Sequence, residues 1–283
     1  DFHFETQPIP NALSPLFHAL PHGVHAAGVL FNHLAELLLP LCLLGPRKLR
    51  ALAGLGMIVF QLILIFSGNL SFLNWLTIVP LLASFDDEQL RASVEIRPTA
   101  RLHQRVTIAL AVVIGALSIA PVLNMLSPRQ AMNAGFDPLM LVNSYGAFGS
   151  VGRERPELIL EGAMAEDGPW EAYELPYKPG DLQRRPGVVS PLQPRLDWQL
   201  WFAAMSQIER EPWLVYLVVE LLEGNDEVQR LFAHVPFDPP KFVRILRYRY
   251  RFAPSSSDAY WVRDRVELYL RPVSREMLRA LRR

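Results

Sequence analysis

Charge is distributed along this chain in blocks. Residues 51–85 carry no charged side chain and neither do residues 106–126, whereas from Arg153 onward charges, prolines and aromatics alternate. Two solvents are implied, an apolar one for the first half and water for the second. A membrane-crossing helix needs about 20 mostly apolar residues to span about 30 Å of hydrocarbon. Four segments are candidates: 26–45, 51–66, 70–85 and 106–126. The first carries Asn32, His33 and Glu36 near its start and stops at Gly45-Pro46-Arg47-Lys48. Taken as one helix, the 51–85 stretch would measure about 50 Å, too long for one crossing, and Ser67-Gly68-Asn69 supplies a break. Two short spans or a re-entrant hairpin fit that pattern, and two spans are favoured. Pro121 is placed to kink or end the last segment.

The second half has the periods of a water-facing fold. Residues 158–162 and 170–177 read as a β-hairpin around the turn-rich 164–168 connector. Pro176, Pro179, Pro186, Pro191 and Pro194 then make a long loop. Asp197 is placed to cap a helix with Trp198, Trp201 and Phe202 on one face, a stripe that core packing explains. Pro212 opens a second helix that Gly224 closes, and Asn225 caps a third running through Leu231 and Phe232. Residues 242–252 alternate in period two. Leu246, Tyr248, Tyr250 and Phe252 share one face, and Arg247, Arg249 and Arg251 share the other with Val243 and Ile245. Residues 261–270 are the expected partner strand, and Ser274 begins a short basic helix ending at Arg283. The expected architecture is a membrane α-helical bundle followed by a soluble α+β domain of antiparallel strands and short helices. Residues 1–126 are assigned to the transmembrane region and 127–283 to the water-facing domain.

Arginine and lysine set the expected orientation, because short cytoplasmic loops are enriched in both. Arg47, Lys48 and Arg50 mark one loop; Arg91, Arg97, Arg101 and Arg105 mark the 86–105 linker. With both loops cytoplasmic, residues 1–25, the 67–69 turn and everything after residue 126 face a lumen or periplasm. Asp1 opens a polar segment without an initiating Met, from which we expect the bundle to begin further upstream. Formal net charge is zero, with 28 basic and 28 acidic residues, so no long-range field argues for nucleic acid. The one cysteine, Cys42, allows neither an internal disulfide nor a zinc cluster.

Chemistry is sparse. His33, Glu36, Gln61, Asn69 and Asn74 are polar groups within the apolar segments. They read either as a pocket between helices or, preferably, as interhelical hydrogen bonds that fix the bundle, and His33 and Glu36 are spaced to pair on one helical face. The arginine row on 247–251 reads as a ladder for an acidic partner or lipid headgroups, or, preferably, as a solvated face paired with carboxylates. Phe148-Gly149-Ser150-Val151-Gly152 lacks the first glycine of a hydrolase nucleophile elbow. Gly146, Gly149 and Gly152 precede no G-K-[ST], so they make no phosphate-binding loop. His18, His22 and His25 are interrupted as a metal set by Pro21. No metal, cofactor or catalytic residue is expected.

Several strings of unlike residues carry a resemblance. They are His3-Phe4-Glu5-Thr6-Gln7-Pro8, Ser67-Gly68-Asn69, Phe72-Leu73-Asn74-Trp75-Leu76-Thr77, Asp86-Asp87 and Asn143-Ser144-Tyr145-Gly146-Ala147-Phe148-Gly149. With them go Arg155-Pro156-Glu157, Glu161-Gly162, Tyr177-Lys178-Pro179-Gly180 and Gln193-Pro194-Arg195-Leu196-Asp197-Trp198-Gln199. Together they resemble the lipase maturation factor family over nearly the whole chain, and the last is the most specific. The resemblance implies a polytopic protein, in animals of the endoplasmic reticulum membrane, whose lumenal domain assists folding and assembly of secreted homodimeric lipases. This chain departs from the animal members in its arginine-rich composition and single cysteine. The membrane part also resembles that of vitamin K-dependent carboxylase and its bacterial relatives, which leaves open a membrane-embedded enzyme with an intramembrane polar site. The expected function is a membrane-anchored maturation factor for secreted lipases or related exported proteins. It would sit in the endoplasmic reticulum membrane, or in the inner membrane of a bacterium. Its expected partners are the lipid bilayer and a secreted lipase or other exported client, held by Arg195, Asp197, Trp198, Arg247, Arg249 and Arg251.

Overall fold

The computed structural model describes residues 2–90, 100–144, 152–254 and 256–277. Arg91, Arg97, the 146–151 part of the glycine string and the 278–283 part of the expected basic helix lie outside the described residues. The chain divides into two compact units, Asp1–Asp86 with Gly152–Arg283, and Asp87–Val151. The expected boundary at residue 126 falls within the second of these.

Among the described residues three helices are long and apolar enough to cross a membrane: α1 (His22–Cys42), α2 (Arg47–Ser67) and, in the smaller unit, α4 (Arg101–Met125). Between them in sequence, α3 (Leu73–Ser84) is apolar but short, about 18 Å at 1.5 Å per residue. Four spans were expected, the middle two short or a re-entrant hairpin, and the reason for the uneven lengths is local. Helix α2 starts at Arg47, directly after Pro46, and runs unbroken to Ser67. The chain then needs residues 68–72 to turn back before α3 begins, and these are lost to the second helix.

Helices α2 and α3 run antiparallel and close together. Asn74 Nδ2 donates to Gln61 Oε1 at 2.7 Å, Arg50 Nε donates to the Ser84 carbonyl at 3.1 Å, and Arg47 pairs with Asp86. A Cβ at Gly54 would overlap the Ser84 side chain, so glycine there permits the approach. In α1 a π turn over Leu34–Leu38 precedes Pro40, as a missing N–H and a ring clash with the preceding turn require. In α4 the same clash breaks the helix at Ser118, three residues before Pro121. The smaller unit also holds a two-stranded ribbon, Ala134–Gly135 against Asn143–Ser144.

The larger unit also contains an antiparallel sheet in the order β2-β1-β3-β4. Its strands are β1 (Arg155–Ala163), β2 (Glu171–Tyr173), β3 (Phe242–Phe252) and β4 (Trp261–Ser274). The expected hairpin is β1 with β2, in register Leu160↔Tyr173, and the expected partner of the arginine strand is β4. Leu158, Leu160, Val243 and Ile245 pack under α5 (Arg195–Ala204) and α6 (Pro212–Glu223) through Leu200, Leu214, Val218 and Leu221. Ile159, Tyr250 and Trp261 form a second cluster with Tyr248 and Phe252 packed against it. Gly224 closes α6 at φ 74°, where only glycine is at ease. Asn225 then caps the short helix Asp226–Gln229 through the amides of Glu227 and Val228.

Gly54→Ala is expected to lower stability by about 1–3 kcal/mol, the usual cost of overpacking, and Ser84→Gly in the same chain to recover part of it. Thermal unfolding in detergent micelles checks this. Equal melting temperatures for Gly54→Ala and the unsubstituted chain would contradict the close packing of α2 on α3.

Candidate functional site

The last carbonyls of a helix have no partner within it, and at a membrane surface another part of the protein must supply one. At the end of α2 the N-terminal segment does so. Gln7 Nε2 donates to the Ser67 carbonyl at 3.0 Å, Ser14 Oγ donates to the same carbonyl at 2.7 Å, and Asn11 Nδ2 donates to those of Ile65 and Phe66 at 3.3 and 3.0 Å. Gln7 is held in turn by the Phe4 carbonyl and the Ser14 hydroxyl. Residues 3–14 are thereby tied to the top of α2.

The same segment is gripped from its other side by the sheet. Arg155, at the start of β1, is 0% exposed. Its guanidinium donates to the Glu5 carbonyl at 2.6 Å, to the Pro8 carbonyl at 2.8 Å and to the Gln7 carbonyl. Its charge is met by Glu157, also fully buried, at 2.7 Å. Lys178 reaches the other Glu157 oxygen at 2.9 Å and donates to the carbonyls of Leu158 and Pro179. Burial pulls the Arg155 guanidinium below its ordinary value, and the neighbouring Glu157 charge opposes that. An arginine remains protonated nonetheless, so a planar fork and not a titrating group holds the three carbonyls. Trp201 Nε1 donates to the Thr6 carbonyl at 3.0 Å, and the Phe252 amide donates to the Glu5 carboxylate at 2.8 Å.

Asp197 continues the network inward. Its Oδ1 accepts from the amides of Tyr177 and Lys178 at 3.0 and 2.7 Å, which orients Lys178 toward Glu157. Asp197 was expected to cap α5. Pro194 stands at the N-cap and Asp197 lies inside the first turn, where its carboxylate is spent on the 177–178 turn. Burial raises its pKa, against the two amides and the Lys178 charge.

A third tie uses Asn69, beyond the end of α2. Its Nδ2 donates to the carbonyls of Gly187 and Pro10 at 2.8 and 3.3 Å. Its Oδ1 accepts from the amides of Val189 and Ser190 at 2.8 and 3.1 Å. Trp75 Nε1 donates to Ser190 Oγ at 2.9 Å, and that hydroxyl donates to the Ser71 carbonyl at 3.0 Å.

The intramembrane residues singled out from sequence therefore separate. Gln61 and Asn74 bond to each other, Asn69 serves the 187–190 loop, and His33 and Glu36 are exposed on α1 and join neither group. The candidate client residues separate too. Asp197 and Trp198 are buried, at 2% and 7% exposure, and Arg195 is exposed beside them. On β3, Arg247 pairs with Glu267 at 2.6 Å, Arg249 binds Asp264 through two nitrogens at 2.7 Å each and Glu154 at 3.1 Å, and Arg251 reaches Asp264 at 3.0 Å. The Asp264 hydrogen bond raises the Arg249 pKa above its ordinary value. Arg247 and Arg249 border a cleft of about 460 Å³ lined by Arg153, Glu154, Met205, Tyr248 and Arg265 among others. Among the described residues no group of His, Cys, Asp and Glu could hold a metal ion.

Sequence reasoning did not single out Arg155, Glu157 and Lys178 as a site. One signal was present: two opposite charges at i and i+2, on one face of a strand, directly before the apolar run Leu158-Ile159-Leu160.

A carboxyl whose pKa is raised by folding binds more protons in the native state than in the unfolded one between the two pKa values. Asp197 therefore subtracts stability as pH rises from the ordinary carboxylate range through its higher native value. Asp197→Ala is expected to lose about 1–3 kcal/mol through the two orphaned amides, while flattening the stability–pH slope in that window. Denaturant unfolding across the acidic range checks both, and an unchanged slope would contradict the assignment.

Comparison with known proteins bears on what this arrangement serves. Residues 1–92 match the family model described as the lipase maturation factor transmembrane domain, and residues 141–271 match that of the lipase maturation factor C-terminal domain. The chain is similar to lipase maturation factor 1 of Bos taurus, 42% identical over 317 residues, covering 99% of this chain and 56% of that one. It is 43% identical to lipase maturation factor 1 of Mus musculus over 317 residues, covering 99% and 55%. It is 29% identical to lipase maturation factor 2 of Homo sapiens over 392 residues, covering 96% and 55%. The chain spans a little over half the length of these relatives. No solved structure matches it.

Proposed function

Because this chain belongs to the lipase maturation factor family, we propose that it is a membrane-anchored maturation factor that assists folding and assembly of a secreted lipase. The observation that carries this reading is similarity to lipase maturation factor 1 over 99% of the chain, across the membrane helices and the sheet domain alike. The geometry supports it. A folded domain fixed to helix ends presents one outer face to clients at a constant height above the bilayer. Its groups include the exposed cation Arg195, the exposed apolar Phe202 and Met205, and the Arg247, Arg249 and Arg251 row with its carboxylate partners. Incompletely folded chains offer apolar patches with variable charge, which such a surface complements. Asp197 and Trp198 act from beneath it, as buried supports.

The sheet domain is joined through residues 5–14 to the Ser67 end of α2, while Arg47, Lys48 and Arg50 crowd the other. Basic ends are favoured on the cytoplasmic side, which supports a lumenal or periplasmic domain on a multi-pass protein. For a eukaryotic member the membrane is that of the endoplasmic reticulum. The alternative of a membrane-embedded enzyme draws no support from these relatives.

The test is complementation. In cells lacking their own maturation factor, this chain is expected to restore release of active lipase. Arg195→Glu with Arg251→Glu, both at exposed positions, is expected to cut that release several-fold at equal protein level. Failure of the unsubstituted chain to restore any active lipase would overturn the reading.

A further inference from the structure

The loop over residues 186–192 belongs by sequence to the sheet domain, yet it is bonded to the ends of membrane helices. Five hydrogen bonds join residues 187–190 to Asn69, Ser71 and Trp75. The height of this attachment can be read from α2. Asn74 pairs with Gln61, six residues before the end of α2, so α3 begins about 9 Å below that end at 1.5 Å per residue. Trp75, one residue further, is level with the interior turns of α2, and a helical side chain leans toward its own N-terminus, here toward the loop. Irregular backbone at membrane depth persists only where protein covers its polar groups. Asn69 supplies that cover, meeting Gly187, Val189 and Ser190 with one amide side chain.

What the loop turns outward is apolar. Val188 is 76% exposed and Leu192 65%, Val188 between bonded residues and Leu192 just after them, and Phe72 before α3 with Trp75 and Leu76 on it are exposed as well. Arg185 is exposed and borders the same cleft as Val188. Two large aliphatic side chains near a tryptophan, with a cation on the same loop, match the mixed chemistry of a bilayer interface. We propose that the 186–192 loop is seated in the lipid leaflet, with Val188 and Leu192 in the apolar edge and Arg185 at lipid phosphate. Continuity with the membrane helices identifies the occupant: the surface carries on from α3, an apolar helix packed along the membrane-length helix α2.

The test uses the full chain in phosphatidylcholine vesicles, with and without phosphatidylserine. In a Cys42→Ala background, Val188→Cys and Leu192→Cys each carry an environment-sensitive fluorophore, and Tyr216→Cys, exposed on α6, serves as the water-facing control. At 188 and 192 we expect quenching by a nitroxide on the upper acyl chain and several-fold protection from a water-soluble quencher, with the reverse at 216. Phosphatidylserine is expected to increase acyl-chain quenching at 188, and Arg185→Gln to abolish that increase. Quenching from water at 188 and 192 equal to that at 216 would overturn the proposal. Protection from both quenchers would overturn it too, because the cover would then be protein. An absence of any phosphatidylserine effect would overturn the role of Arg185.

Discussion

A charged guanidinium with no exposed surface survives only among close partners, and the two terminal nitrogens of Arg155 draw theirs from two distant parts of the chain, while its Nε has no hydrogen-bond partner. Glu157 and, through it, Lys178 come from the sheet domain; three carbonyls come from residues 5, 7 and 8. Ion burial is costly, and a buried pair adds little stability over an apolar one, but removing one partner typically costs about 3–5 kcal/mol. The arrangement therefore enforces geometry: the domain folds around Arg155 with residues 5–8 in place or leaves charge stranded. Since the same short segment caps the end of α2 through Gln7, Asn11 and Ser14, the domain and the helix end share one strip of backbone between them.

This convergence gives a physical account of why scattered strings carried the family resemblance. Residues 3–8 lie between α2 and Arg155. The 67–69 and 72–77 strings include the attachment of the 187–190 loop, 155–157 and 177–180 hold the buried charges, and 193–199 contains Asp197, which aims Lys178. Several of these strings thus meet in one buried joint. A jointed attachment would let the sheet domain vary in height and angle relative to the end of α2, and this joint removes that freedom.

Much of the fold was legible in the sequence because it follows from local period and local caps. Alternation over 242–252 gave a strand with its faces correctly divided, Pro212 and Gly224 bounded α6, and Asn225 capped its successor. Helix count was less legible: a 35-residue uncharged run does not show where the turn spends its residues, and five of them went to positions 68–72. The site was least legible. Asp197 and Asn69 stood out by residue type, but their partners lie about 20 and 120 positions away, and Arg155 meets backbone about 150 positions away. Carbonyls have no sequence signature, so a side chain whose partners are carbonyls reads as an ordinary surface arginine.

The most direct measurement of the joint is hydrogen exchange on the full chain in detergent micelles, comparing the unsubstituted protein with Arg155→Met, which keeps length and removes the charged fork. If Arg155 joins the sheet to the helix end, exchange rises together at the Phe252 amide, bonded to Glu5, and at the Asn69 amide, bonded to Ile9, as well as along β1. If exchange rises only along β1 and the Phe252 and Asn69 amides keep their protection, the two parts are held together by something other than Arg155 and the account fails.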